Sequence, residues 1–245
     1  MVRADKTLGS VIADFDAFYP KFAGIAEKTA TQIESQPWQD WFKDRLPDVD
    51  PKLLTALQTF TMAYEGKRKL QTTNPYARND IYDKAPDHVV NLSEIFSSNH
   101  AMCVETAILA KKFLDDKGIT SRLFSGEAMF NYEAGDINFP IPHTFLIIEH
   151  QGKEYVYDPT NPTINKEGAA LFTLMEPKAS FASRLEDLQN GSLMICAENL
   201  LTERCTYYGV GDGCNVQESA IIHGSKSKPL KEPPKEKGAD DILRV

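Results

Sequence analysis

The chain has 245 residues, 27 Lys and Arg against 35 Asp and Glu for a formal net charge of −8, 42% hydrophobic residues and four cysteines. This is the composition of a globular protein long enough to bury a core without disulfide or metal staples. No apolar run approaches the roughly 20 residues of a membrane span, the N-terminus lacks a signal-peptide core, and no Lys/Arg stripe outside the C-terminal tail supports nucleic-acid binding.

The expected location is the cytoplasm, or export without a cleaved signal. Cys103, Cys196, Cys205 and Cys214 form no CxxC pair and no histidine sits at a ligand-like offset among the last three, so neither a structural metal nor a cofactor is expected.

Residues 1–91 read as a helical region. In PWQDWF at 37–42, Trp38 and Trp41 share one helix face, which suits core packing better than a stacking platform. Pro51 opens a strong helix in which Leu53, Leu57, Phe60 and Tyr64 recur on one face. The prolines and turn formers of 72–86 predict a loop or domain junction, followed by a short helix at NLSEIF. A second helix runs from Cys103 to Lys117, stopped by Gly118, and ITSRLFSG at 119–126 reads as a strand.

Residues 127–142 form a long excursion whose Gly and Pro content opposes regular structure, a candidate substrate-gating lid. His143–His150 and Glu154–Asp158 are β-rich runs about Gln151-Gly152, a hairpin signal. A helical stretch at 181–189 and a strand at 192–197 follow, and GVGDG at 209–213 reads as a turn. The predicted organisation is a helical region at 1–91, a core with its C-terminal extension at 92–224, and a disordered, charged tail at 225–245.

The chemistry concentrates in 97–162. Cys103 follows Ser97-Ser98-Asn99-His100, where Ser98 or Asn99 is placed to cap the coming helix. A thiol in the first helical turn meets the positive end of the helix dipole and unsatisfied N–H groups, which favour thiolate over thiol and can hold an oxyanion. A two-residue turn at Gln151-Gly152 pairs His150 with Lys153 and sets Asp158 opposite Phe145. His143 then lies on the same face as Asp158, as a diagonal neighbour at roughly 7–8 Å between Cα atoms. A carboxylate there can hold the histidine tautomer and stabilise its imidazolium.

Cys103 leading a helix with Ala107, the 118–122 step into a strand, Gly126, His143-Thr-Phe and Tyr155-Val-Tyr-Asp158-Pro159-Thr160 resemble the core of the transglutaminase-like superfamily. The resemblance spans 97–162. It implies an α+β fold of papain/transglutaminase-like type, a nucleophile helix packed on an antiparallel sheet. It also implies Cys103 as nucleophile, His143 as base and later acid, and Asp158 as orienting residue. Many members carry a small residue before the nucleophile and Trp after the histidine, where this chain has Met102 and Thr144.

The reaction so implied is a thioester route on a peptide bond or glutamine carboxamide: peptidase, deamidase or transglutaminase. Asn99 and the Cys103 backbone N–H are the oxyanion candidates. The expected partner is a protein or peptide substrate; the sequence leaves the oligomeric state open. The competing expectation is a catalytically silent module of the same fold that binds a partner protein.

Overall fold

The structure, a computed structural model, describes residues 10–68, 75–130, 140–189, 193–209 and 243–244. After a short strand β1 (Ser10–Ile12), four helices follow: α1 (Phe15–Ile33), α2 (Gln36–Arg45), α3 (Pro51–Arg68) and α4 (Pro75–Lys84). Pro51 sits at the first helical position, where its missing N–H costs nothing, and Asp50 Oδ1 accepts the Lys52 N–H at 2.8 Å. Leu53, Leu57, Phe60 and Tyr64 are all buried, as their spacing predicts.

Where a loop is expected at 72–86, residues 75–84 are instead α4 and a short 3-10 turn follows at 86–88, while 72–74 lie outside the described residues. The two prolines read as breakers are helix punctuation: Pro75 opens α4 and Pro86 lies just beyond its end. Strand β2 (Val89–Asn91) pairs parallel with β1 and leads into α5 (Leu92–Ser98).

Helix α6 (Cys103–Asp116) is buried along most of its length, including Val104, Ala107, Ile108, Ala110, Phe113 and Leu114. It ends where the sequence places the stop. Gly118, at φ 71, lets its own N–H reach the Asp115 carbonyl and the Ile119 N–H reach that of Leu114, both at 2.9 Å.

The remaining strands are β3 (Ser121–Phe130), β4 (Ile141–His150), β5 (Lys153–Tyr157), β6 (Thr163–Ile164), β7 (Ala170–Leu171), β8 (Leu174–Pro177), β9 (Met194–Asn199), β10 (Cys205–Gly209) and β11 (Leu243–Arg244). A short helix, α7 (Leu185–Gln189), precedes β9. Strands β6 and β7 form a small ladder of their own, and β11 pairs antiparallel with β1. The other six close into an antiparallel barrel in the order β10-β3-β4-β5-β8-β9, with β9 returning to β10.

This closure overturns the expected papain-like core. The fold is α+β, and α6 packs against the β3–β4 wall, but the sheet is a closed six-stranded barrel and not an open papain-like layer. The sequence reading found β3, β4, β5 and β9 and missed β8 and β10, the two that let the ends of the sheet meet. Strand β8 ends on a proline and β10 on a glycine, and both are too short to establish a period.

Two apolar layers explain why Phe145–Ile148 is buried on both faces. Phe145 and Ile147 point into the barrel with Phe124, Val156, Met175, Ile195 and Tyr208, while Leu146, Ile148, Tyr155 and Tyr157 join the core shared with the helices. Phe181 and Leu188 plug the barrel end beneath the β4–β5 turn, where Glu154 Oε2 accepts the Phe181 N–H at 2.7 Å. The opposite end holds the start of β4 and the end of β5.

Strand β3 extends to Phe130 and β4 begins at Ile141, so the excursion is shorter than 127–142; its residues 131–139, with the lid assigned to them, lie outside the described residues. So do Cys214 and, apart from β11, the C-terminal tail.

The β4–β5 turn has Gln151 at φ 50 and Gly152 at φ 76, two positive angles that match strand twist and fix the register His150↔Lys153 through Leu146↔Tyr157. Gly152→Ala is expected to cost about 1 kcal/mol in urea unfolding, because alanine must hold the same left-handed angle. An unchanged midpoint would show that the strands, rather than the turn, set the register.

Candidate active site

Cys103 is the first residue of α6 and half-buried, so a thiol at the start of a largely buried helix still reaches the surface. The cap differs from the expected one. Ser98 turns back to the Ile95 carbonyl at 2.9 Å, and Asn99 closes α5 in a left-handed conformation with φ 65. The residue before the helix is Met102, whose N–H is taken by Glu105 Oε2 at 2.9 Å. Asn99 therefore ends one helix four residues before the thiol and does not begin the next.

His143 and Asp158 meet as the hairpin register requires. Nε2 of His143 stands 2.7 Å from Oδ2 of Asp158, with His143 5% and Asp158 1% exposed. The pair lies at the open end of the barrel, where the imidazole ring is 6.4 Å from those of Phe145 and Tyr208.

Asp158 is held from every side. Oδ1 accepts the N–H groups of Thr160 at 3.1 Å and Asn161 at 3.3 Å, Oδ2 accepts Asn161 Nδ2 at 2.9 Å, and the Tyr208 hydroxyl lies 3.5 Å away. The turn chemistry of Asp-Pro-Thr and the carboxylate–imidazole pair therefore coexist in one residue.

His143 also shares a hydrogen bond with Cys103. Burial opposes an imidazolium here, but the Asp158 carboxylate, its hydrogen bond and the Cys103 contact outweigh it and push His143 up to about 10. Burial likewise opposes the Asp158 carboxylate, and the His143 charge and three hydrogen bonds hold it below the usual range. Tyr208 is pushed well up by burial and by the same carboxylate, so its hydroxyl keeps its proton.

A second layer beneath the thiol escaped the sequence reading. Glu105, fully buried, accepts Arg78 Nε at 2.9 Å, Arg78 Nη2 at 2.6 Å and the Tyr82 hydroxyl at 2.8 Å, all on Oε1. Arg78 and Tyr82 come from α4, the helix mistaken for a loop. The available signal was Glu105 at the third helical position, half of a capping box, once Met102 is taken as the cap. His100, on the connection into α6, has Nδ1 buried with no hydrogen-bond partner among the described residues.

The other described cysteines stand apart. Cys196 and Cys205 share the outward face of β9 and β10, and burial together with Cys205 pushes the Cys196 thiol up. Trp38 and Trp41, half-buried against the helical core, line a groove of about 750 Å³ with Ile164, Leu200 and Leu201. Among the described residues no cluster of three His, Cys, Asp or Glu is arranged to hold a metal, and no helix is long and apolar enough to cross a membrane.

No family model, curated protein or solved structure matches the chain.

Proposed function

We propose that the protein is a thiol enzyme acting on amide carbonyls, with Cys103 as nucleophile, His143 as proton carrier and Asp158 as the group that orients and charges it. The observation that carries this reading is one imidazole bonded to a buried carboxylate at 2.7 Å and interacting with a half-exposed thiol at a helix start. The transglutaminase-like resemblance supports the same chemistry.

In this reading Cys103 Sγ attacks the carbonyl carbon of a peptide bond or glutamine carboxamide. The electron pair of the C=O bond moves to oxygen, held by the Cys103 backbone N–H at the helix terminus. His143 then delivers its proton to the nitrogen, the C–N bond breaks, and a thioester remains. Water or a second amine, deprotonated by His143, opens the thioester to acid or new amide and returns the thiol.

The test is iodoacetamide alkylation of the native protein, mapped to each cysteine between pH 5 and 9. Cys103 is expected to react fastest, and Cys196 slowly at neutral pH because its thiol is pushed up. His143→Ala should slow Cys103 by about tenfold or more, the effect of losing an adjacent cation on thiolate population. A Cys103 no faster than Cys196 would defeat the enzyme reading. The groove beside Trp38 and Trp41 would then favour the second reading, a non-enzymatic module that binds a partner protein.

A further inference from the structure

We propose that Arg78 and Glu105 are positioning residues for Cys103: Glu105 ties down the first turn of α6, and Arg78 cancels the carboxylate charge that would otherwise sit beneath the thiol. This rests on the reading of Cys103 as nucleophile.

The geometry makes a simple structural cap an expensive explanation. A surface Ser, Thr, Asp or Asn at the residue before a helix ties down the first turn by accepting the second or third helical N–H, without burying a charge. Here the Met102 side chain supplies no oxygen, and the first turn is tied at the Met102 N–H by an inward-facing carboxylate with no exposed surface. Burying that carboxylate requires a partner, which Arg78 provides in a two-pronged contact while itself only 3% exposed. Helix α4 is thereby fastened to the residue immediately before the thiol, and Tyr82 spends its hydroxyl on the same oxygen.

The electrostatic consequence is specific. Among the described residues, the titratable and charged groups around Cys103 include His143 from β4 with Asp158 behind it, Arg78 and Tyr82 from α4, Glu105 from α6, and His100 on the connection into α6. Glu105 lies two residues after the thiol and its charge opposes a thiolate. Arg78 interacts electrostatically with Cys103 and remains charged at every relevant pH. Removing the arginine therefore exposes the thiol to an uncompensated anion, whereas removing the carboxylate charge leaves an uncompensated cation. The two changes should move Cys103 in opposite directions.

The experiment is the pH profile of Cys103 alkylation by iodoacetamide in four forms of the full chain: wild type, Arg78→Met, Glu105→Gln and the double variant. Arg78→Met should shift the profile to higher pH and slow alkylation at pH 6.5 by about tenfold. Glu105→Gln should shift it to lower pH, and the double variant should fall between them. A merely structural pair would slow both single variants alike and leave the midpoints together, which would overturn the proposal.

If Arg78→Met does not fold, Glu105→Gln and the double variant isolate the arginine, since both lack the carboxylate. Coincident midpoints for those two would also overturn it. A wild-type Cys103 that reacts no faster than Cys196 fails at the earlier step and defeats the nucleophile reading itself. A reactive wild-type Cys103 with unmoved midpoints leaves that reading standing and defeats only this one.

Discussion

Glu105→Ala is expected to destabilise the protein by about 3–5 kcal/mol in urea unfolding at pH 7, the cost of breaking a buried ion pair by removing one partner. Arg78, 3% exposed, would be left without its counter-charge, and the Met102 N–H and Tyr82 hydroxyl would lose their acceptor. Arg78→Met with Glu105→Leu should recover the larger part, because no isolated charge remains buried. A double variant as unstable as the sum of its parts would show that the residues act independently. The surface pair Arg122–Glu149 is the contrast: with Glu149 half-exposed and Glu154 also available to the arginine, Glu149→Ala should cost less than about 1 kcal/mol.

Stability should fall on both sides of a plateau set by His143 and Asp158. The His143 value is raised from 6.5 to about 10 on folding, so its contribution is complete below pH 6.5 and is lost as pH rises toward 10. The Asp158 value is lowered from 3.8, so its contribution is complete above that pH and is lost as pH falls through the depressed value. These are two flanks of one interaction and are not additive.

Asp158→Asn removes the charge that holds the imidazolium. Burial then drives His143 toward its neutral form, and the decline between pH 6.5 and 10 should flatten. Thermal unfolding across pH 4–10 in wild type and variant measures this, and parallel curves would contradict it. The same variant should slow Cys103 alkylation at pH 7 by about tenfold, since the imidazolium beside the thiol is gone.

The hairpin at the site was legible because two residues, Gln151 and Gly152, set a register that carried through to Asp158, and parity placed His143 on the same face. The stop at Gly118 was legible for the same local reason, whereas the start at Cys103 was placed from a cap, Ser98 or Asn99, that the fold spends on the end of α5. What escaped was encoded across distance. Barrel closure depends on β10 finding β3, strands some eighty residues apart in the chain, and no short pattern in CTYYG announces that partner. Helix α4 was hidden by reading Pro75 and Pro86 as loop residues. With it went Arg78 and Tyr82, whose significance appears only once Glu105 faces them.

The nucleophile rides on a helix and its base on the barrel wall, so the thiol–imidazole contact spans a packing interface and no single element contains both partners. Chemical competence therefore reports how well α6 is seated. A displacement of about 1 Å across such an interface is enough to reduce turnover by roughly a hundredfold while secondary structure stays intact. Thiol reactivity should consequently fade earlier than the far-ultraviolet signal during heating. Any substitution that loosens the seating, even one remote from Cys103 and His143, becomes a dial on activity instead of a switch on folding.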